Sequence, residues 1–383
     1  MKIAIIAPPW VPTPPRTYGG TESVLDILAR GLQNMGHEVV LFATGDSSCP
    51  VPRRYRFENA LGTGRADSEI MESLHVMSAY ENLRDFDIIH DHTLLGPIVS
   101  AWYPEIPVVT TNHAPFVGNG LEDFYRSVGA RVPIIAISEH QARSVKDMNI
   151  VSVIHHGIDV GEFSFGNGDG NYMVFLGRMN PDKGVHAAIA VAREVGLELK
   201  IAAKCREPAE KSYFREVIQP LLGSGVEYVG EVDFNQKIAL LKNAICLLNP
   251  INWPEPFGMV MIEALACGTP VVATNAGAAP EIVQDGVNGF ICDSIEGLCG
   301  AVQLVSKIDR LECRKSVEER FSQELMVKKH LETYEKVISN FRASSSRDSN
   351  IVPLRAEMDL SQDVVSEPPM EGIKEVFPSA SGM

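Results

Sequence analysis

Four charged side chains and one histidine carry the chemistry legible in this chain. Glu255 and Glu263 stand eight positions apart in Trp253-Pro254-Glu255-Pro256-Phe257-Gly258-Met259-Val260-Met261-Ile262-Glu263-Ala264. From Phe257 onward the segment is apolar on every side, so the helix it opens is expected to be buried all round. A carboxylate at Glu263 then needs a hydrogen-bonding partner. Glu255 falls at the helix mouth, where backbone N–H groups are unpaired and the dipole end is positive. A fully helical path between the two would rise roughly 12 Å, enough for two glutamates to grip a ligand with several hydroxyls. The plainer alternative pairs Glu263 with a core Arg or Lys and leaves Glu255 as a solvated cap. Arg178 and Lys183 share the loop Gly177-Arg178-Met179-Asn180-Pro181-Asp182-Lys183-Gly184. Two cations in one loop suit a ligand that gathers negative charge, such as a departing diphosphate; a solvated basic turn is the alternative. His113, in Thr111-Asn112-His113-Ala114-Pro115, could donate a hydrogen bond at a reacting centre or be an idle loop residue.

These residues follow short apolar runs. Lys2–Ala7, His37–Ala43, Phe86–His90, Pro107–Thr111, Val132–Ile137 and Val151–Ile154 read as strands, with helical patterns between them at Tyr18–Met35, Asp67–Leu83 and Ser138–Asp147. After the glycine- and asparagine-rich stretch Phe163–Asn171, read as a linker, strands are expected at Tyr172–Leu176, Leu199–Ala203, Glu227–Val229, Ala244–Leu248 and Pro270–Thr274. Such alternation predicts doubly wound parallel sheets, which bind ligands at the carboxyl ends of their strands. Gly19-Gly20 sits at the first such end, where paired glycines let backbone N–H groups approach a phosphate; a plain turn fits as well. His90-Asp91-His92 ends another strand, but no further ligand cluster supports a metal there.

Bulk properties exclude several classes. A chain of 383 residues suits two α/β domains. With 49 acidic against 34 basic residues the net charge is −15, against a nucleic-acid binder. Seven scattered cysteines without a C-x-x-C pair read as reduced thiols of a cytoplasmic protein, and no stretch approaches the roughly 20 apolar residues of a membrane span.

The Glu255–Glu263 spacing resembles the E-x7-E signature of retaining, nucleotide-sugar-dependent glycosyltransferases of the GT-B fold, specifically glycosyltransferase family 4 (group 1 glycosyltransferases). The resemblance runs from Met1 to about Phe341. It implies two Rossmann-like domains facing a cleft: residues 1–162 on the acceptor side and 163–320 on the donor side. Residues 321–341 would form a helix crossing back to the N-terminal domain, and 342–383 a disordered tail. It further implies that Glu255 orients the donor sugar, with Phe257, Gly258, Met259 and Val260 beside it, and that Glu263 holds the ribose. Arg178 and Lys183 would stabilise the diphosphate, His113 would assist at the reacting sugar, and Gly19-Gly20 would lie near the phosphates. The partners implied are a nucleotide-sugar donor and an acceptor hydroxyl of unspecified identity, with no cofactor and no metal requirement. Two departures stand out: His156 in His155-His156-Gly157-Ile158-Asp159 replaces the usual asparagine, and Ala278 in Gly277-Ala278-Ala279-Pro280-Glu281 replaces a glycine. A GT-B epimerase or phosphorylase, or a binding protein without turnover, would share much of this pattern.

Overall fold

Apolar runs separated by helix-length segments assemble here into two parallel sheets, because each crossover helix covers one sheet face. The computed structural model describes residues 1–118 and 120–348. The first sheet holds β1 Lys2–Ile6, β2 Glu38–Ala43, β3 Arg53–Tyr55, β4 Ile88–Asp91, β5 Val108–Thr111, β6 Ile134–Ala136 and β7 Ile150–Val153, in the order 3-2-1-4-5-6-7. The second holds β8 Tyr172–Arg178, β9 Glu198–Lys204, β10 Val226–Gly230, β11 Cys246–Asn249, β12 Val271–Thr274 and β13 Gly289–Cys292, in the order 10-9-8-11-12-13. In each, strand order reverses once, between β1 and β4 and between β8 and β11, and that reversal opens a crevice at the strand ends. Both lobes lie in one compact unit, Met1–Arg342.

The two strands absent from the predicted set are edge strands. β3 is three polar or aromatic residues, Arg-Arg-Tyr, and β13 is four residues whose one partner among the described strands is β12. Neither is long enough to establish a hydrophobic period. The helical stretch after β9 is broken: Pro208–Tyr213 is α-helical, then the turn widens and tightens again at Gln219–Leu221, where Pro220 supplies no N–H. The predicted Ser138–Asp147 helix stops at Arg143.

The Phe163–Asn171 stretch is held down by two arginines. Arg310 donates to the carbonyls of Gly166 and Ala244 at 2.8 and 3.0 Å, and Arg314 to those of Phe163 and Ala266 at 2.7 and 2.9 Å. Buried carbonyls that no ladder could satisfy thus find charged donors. The last helix, Gln323–Asp348, continues past its predicted end at Phe341; the rest of the expected tail lies outside the described residues. This helix packs on the first lobe. Gln323 Nε2 donates to the Ile27 carbonyl at 2.6 Å, and a Cβ on Gly31 would stand 2.4 Å from Val327. All seven cysteines are unpaired thiols, and no described helix is long and apolar enough to cross a membrane.

Candidate active site

The charged cluster around Glu255 is built where the loops after β8 and β11 meet. Gly184 is left-handed (φ 75°), and a Cβ there would stand 1.9 Å from the Pro250 carbonyl oxygen, so only glycine lets the two loops touch. Asn252 N–H donates to the Asp182 carbonyl at 2.8 Å across the same seam. Lys183 is thereby brought into an ion pair with Glu255, the side chains 12% and 16% exposed. The Trp253 indole N–H donates to the same carboxylate at 2.8 Å, and the Lys183 ammonium lies 4.8 Å from the Trp253 ring centre. Burial lowers the Lys183 pKa and the Arg178 charge adds to that, against the opposing pull of Glu255. Arg178 ends β8 and also faces the Tyr18 hydroxyl of the first lobe, whose pKa burial pushes up to about 12 against that guanidinium. The Gly277 loop locks the Glu255 backbone: a Cβ on Gly277 would stand 2.2 Å from the Glu255 carbonyl oxygen, which accepts from Ala278 N–H at 2.9 Å.

The helix of the signature is Met259–Ala266, beginning two residues later than expected because Gly258 takes a left-handed turn (φ 99°) at its cap. Only part of the Glu255–Glu263 span is helical, so the predicted rise does not apply. Met259 and Val260 are half-buried and Met261–Ala266 fully buried. Glu263 is 7% exposed and binds the Lys237 ammonium at 2.6 Å. Glu263 thus has the basic partner that the plainer alternative gives it, whereas Glu255, paired with Lys183, is not the solvated cap of that alternative. Lys237 comes from the helix Phe234–Asn243, and nothing local to either residue links them.

The first lobe brings a line of histidines to the opposite wall. His113, half-buried after β5, has both ring nitrogens engaged: Nε2 with His92 Nδ1 at 2.9 Å, and Nδ1 with His156 Nε2 at 3.3 Å. His156 in turn packs on Phe257 of the signature loop, ring centres 5.0 Å apart. His90 bonds Tyr334 and Thr111, both at 2.7 Å, and no three His, Cys, Asp or Glu side chains among the described residues converge as a metal-ligand group. Gly19 and Gly20 open the helix Gly20–Asn34; a Cβ on Gly19 would meet Pro15 at 2.6 Å, whereas Gly20 faces open space.

Several polar contacts tie the lobes together. Thr17 donates to Glu231 at 2.8 Å, and Thr63 to Glu207 at 3.0 Å. Glu281 makes the densest contact: its carboxylate accepts from the backbone N–H groups of Glu139 and His140, at 2.8 and 2.6 Å, and pairs with His155 Nε2 at 2.8 Å. Glu281 lies in the first turn of its own short helix, Ala279–Ile282, and its side chain reaches the N-terminal end of a helix in the other lobe. Burial pushes its pKa up, but these bonds outweigh burial and hold it below the ordinary carboxylate value. Glu281→Ala is expected to destabilise the closed pair of lobes by about 2 kcal/mol, since it leaves two N–H groups unpaired. Small-angle scattering should show a larger radius of gyration; an unchanged profile would count against the clamp.

Two doubly wound lobes facing across a cleft, with cations and carboxylates at the strand ends, define the GT-B class of glycosyltransferases. The chain belongs to the group 1 glycosyltransferases of glycosyltransferase family 4: the family model for glycosyl transferases group 1 matches residues 162–324, and that for Glycosyltransferase Family 4 matches residues 18–162. An uncharacterized glycosyltransferase of Methanocaldococcus jannaschii is 28% identical over 188 residues, 49% of this chain and about half (52%) of that relative. The phosphatidyl-myo-inositol mannosyltransferase of Mycolicibacterium smegmatis is 26% identical over 355 residues, covering 81% of this chain and 86% of the relative. Among solved structures, Anabaena HepE in complex with UDP and glucose superposes with a TM-score of 0.69 at 21% identity, over 88% of this chain and 99% of that one.

Proposed function

We propose that this chain transfers a hexosyl group from a nucleoside-diphosphate sugar to an acceptor hydroxyl with retention of anomeric configuration. The observation that carries this reading is the pair Arg178 and Lys183, two cations in one partly buried loop, with the Glu255 carboxylate paired to Lys183. A diphosphate placed there would neutralise the second cation and free Glu255 to accept from sugar hydroxyls. The backbone at Phe257-Gly258, with Met259 and Val260, follows Glu255-Pro256 directly in the chain and would help orient the sugar. Glu263 would exchange part of its bond to Lys237 for the ribose hydroxyls, and Gly20 leaves room for the phosphates. His113 would donate to the reacting sugar or to the leaving oxygen. In a front-face displacement the bond from the anomeric carbon to the phosphate oxygen breaks as the acceptor oxygen bonds the same face, and the acceptor proton passes to the departing phosphate. The cations suffice for the leaving group, so no metal is assigned. The UDP and glucose bound by HepE support a nucleotide-sugar donor. A cytoplasmic setting accords with the unpaired thiols.

A thermal-shift series with UDP, GDP and ADP in EDTA tests the binding half. One nucleotide is expected to raise Tm by several degrees, equivalent to about 3 kcal/mol at a hundredfold excess over Kd. Incubation of the matching nucleotide sugars should then release nucleotide slowly. Stabilisation without release across donors and acceptors would favour a binding protein, and dependence on added divalent metal would overturn the metal-free reading.

A further inference from the structure

The line of histidines behind His113 sets which of its ring nitrogens carries the proton. This inference rests on the proposed role of His113 at the reacting sugar. A neutral imidazole has one N–H and one lone pair. Burial holds His113 down to about 3 and His92 and His156 well below the usual histidine range, so at neutral pH each ring carries a single proton. In the row His92–His113–His156 the middle ring must therefore donate on one side and accept on the other. Only two proton arrangements satisfy both bonds: every ring protonated at Nδ1, or every ring protonated at Nε2.

His92 separates the two. It is 6% exposed, and its Nε2 is a buried atom with no hydrogen-bond partner among the described residues. With protons on Nε2, that atom would be an orphaned buried N–H, a defect folded proteins almost never retain. With protons on Nδ1 it is a bare lone pair, and His92 Nδ1–H donates to His113 Nε2. His113 then holds its proton on Nδ1 and donates to His156 Nε2 through the longer, 3.3 Å bond. A sugar hydroxyl or leaving oxygen arriving at the cleft displaces that weaker bond and meets a donor. In the other arrangement it would meet a lone pair.

We infer that His92 and His156 are positioning residues: His92 fixes His113 as an Nδ1–H donor, and His156 accepts that proton in the empty cleft until substrate replaces it. His156 stands where the resemblance leads one to expect asparagine, whose amide oxygen can also accept.

The direct test is long-range proton–nitrogen NMR on the full chain carrying ring-labelled histidine at pH 7, without nucleotide sugar, with signals assigned by single substitutions. His113 is expected as the Nδ1–H tautomer in the wild type and as a mixture in His92→Leu. A wild-type His113 protonated at Nε2, or a His113 tautomer unmoved by His92→Leu, overturns the inference. In kinetics, His92→Leu should lower kcat about tenfold, the loss of an oriented proton donor, with donor KM within about twofold. His92→Asn, whose amide N–H falls near the Nδ1 position, should restore most of kcat; equal losses in the two variants would point to packing alone and overturn it. The tautomer is read without turnover. A chain that shows the Nδ1–H form yet transfers no sugar would therefore count against the proposed reaction and not against the histidine assignment.

Discussion

Lys183→Ala is expected to lower turnover of a nucleoside-diphosphate sugar about a hundredfold to a thousandfold, the usual loss when a preorganised group facing developing charge is removed. The ammonium is held for this role from three sides: its stem lies in a loop pinned by Gly184, its charge is opposed by Glu255, and its face is covered by Trp253. Little reorganisation is left for the moment the phosphate departs. The substitution also strands Glu255, whose carboxylate keeps, among the described residues, the Trp253 N–H alone. Breaking one half of a largely buried pair is destabilising, whereas replacing both halves with neutral groups of similar shape is far better tolerated. Lys183→Met with Glu255→Gln should thus be more stable to urea than Lys183→Met alone, while remaining inactive. The two measurements separate the roles. If the double variant regained activity along with stability, the ammonium would be a packing element and the diphosphate reading of this loop would fall.

How far the chain could be read depended on how local each signal was. Strands with four or more apolar residues announced themselves, and so did the loops at their ends, because a parallel sheet places every β-to-α turn on one face. Arg178, Lys183 and Glu255 were legible because each is fixed by such a turn. Glu263 was legible only as a buried carboxylate needing a partner; that the partner is Lys237 depends on how two helices pack, which no sequence period encodes. Trp253, two positions from Glu255, was within reach of the reading, since an indole N–H so close to a half-buried carboxylate has few other places to donate. The bridge from Glu281 to Glu139, His140 and His155 was out of reach, because it depends on the relative position of the two lobes. The histidine row was visible one residue at a time. Its joining depends on the loops after β4 and β5 meeting the turn after β7 across the end of β6, with the last helix closing over them through His330 and Tyr334.

That row has a consequence for stability larger than any single contact. Lowering the pH from 7 to 5.5 is expected to destabilise the fold by about 4 kcal/mol, the sum of roughly 1 kcal/mol from each of six histidines less about 2 kcal/mol returned by two carboxyls. The histidines are His92, His113 and His156 in the row, His90 and His330 packed beside it, and His75 near β1; burial, named first for each, holds His75 and His330 to about 4, His113 to about 3 and the others well below 6.5. The charges that reach His90, His92 and His156 are those of other histidines, which push the same way. Because these folded pKa values lie below the unfolded one, the unfolded chain binds more protons as the pH falls through 6.5, and stability is lost from there downward. Asp91 and Glu22 have the opposite sign. Burial raises them to about 6 and about 7, so the folded state takes up their protons first and recovers some stability over the same interval. Urea unfolding at the two pH values measures the balance. His330→Leu should shrink the difference, since it removes one titrating site while keeping apolar volume; a midpoint independent of pH would mean that these imidazoles are hydrated or already charged in the folded protein.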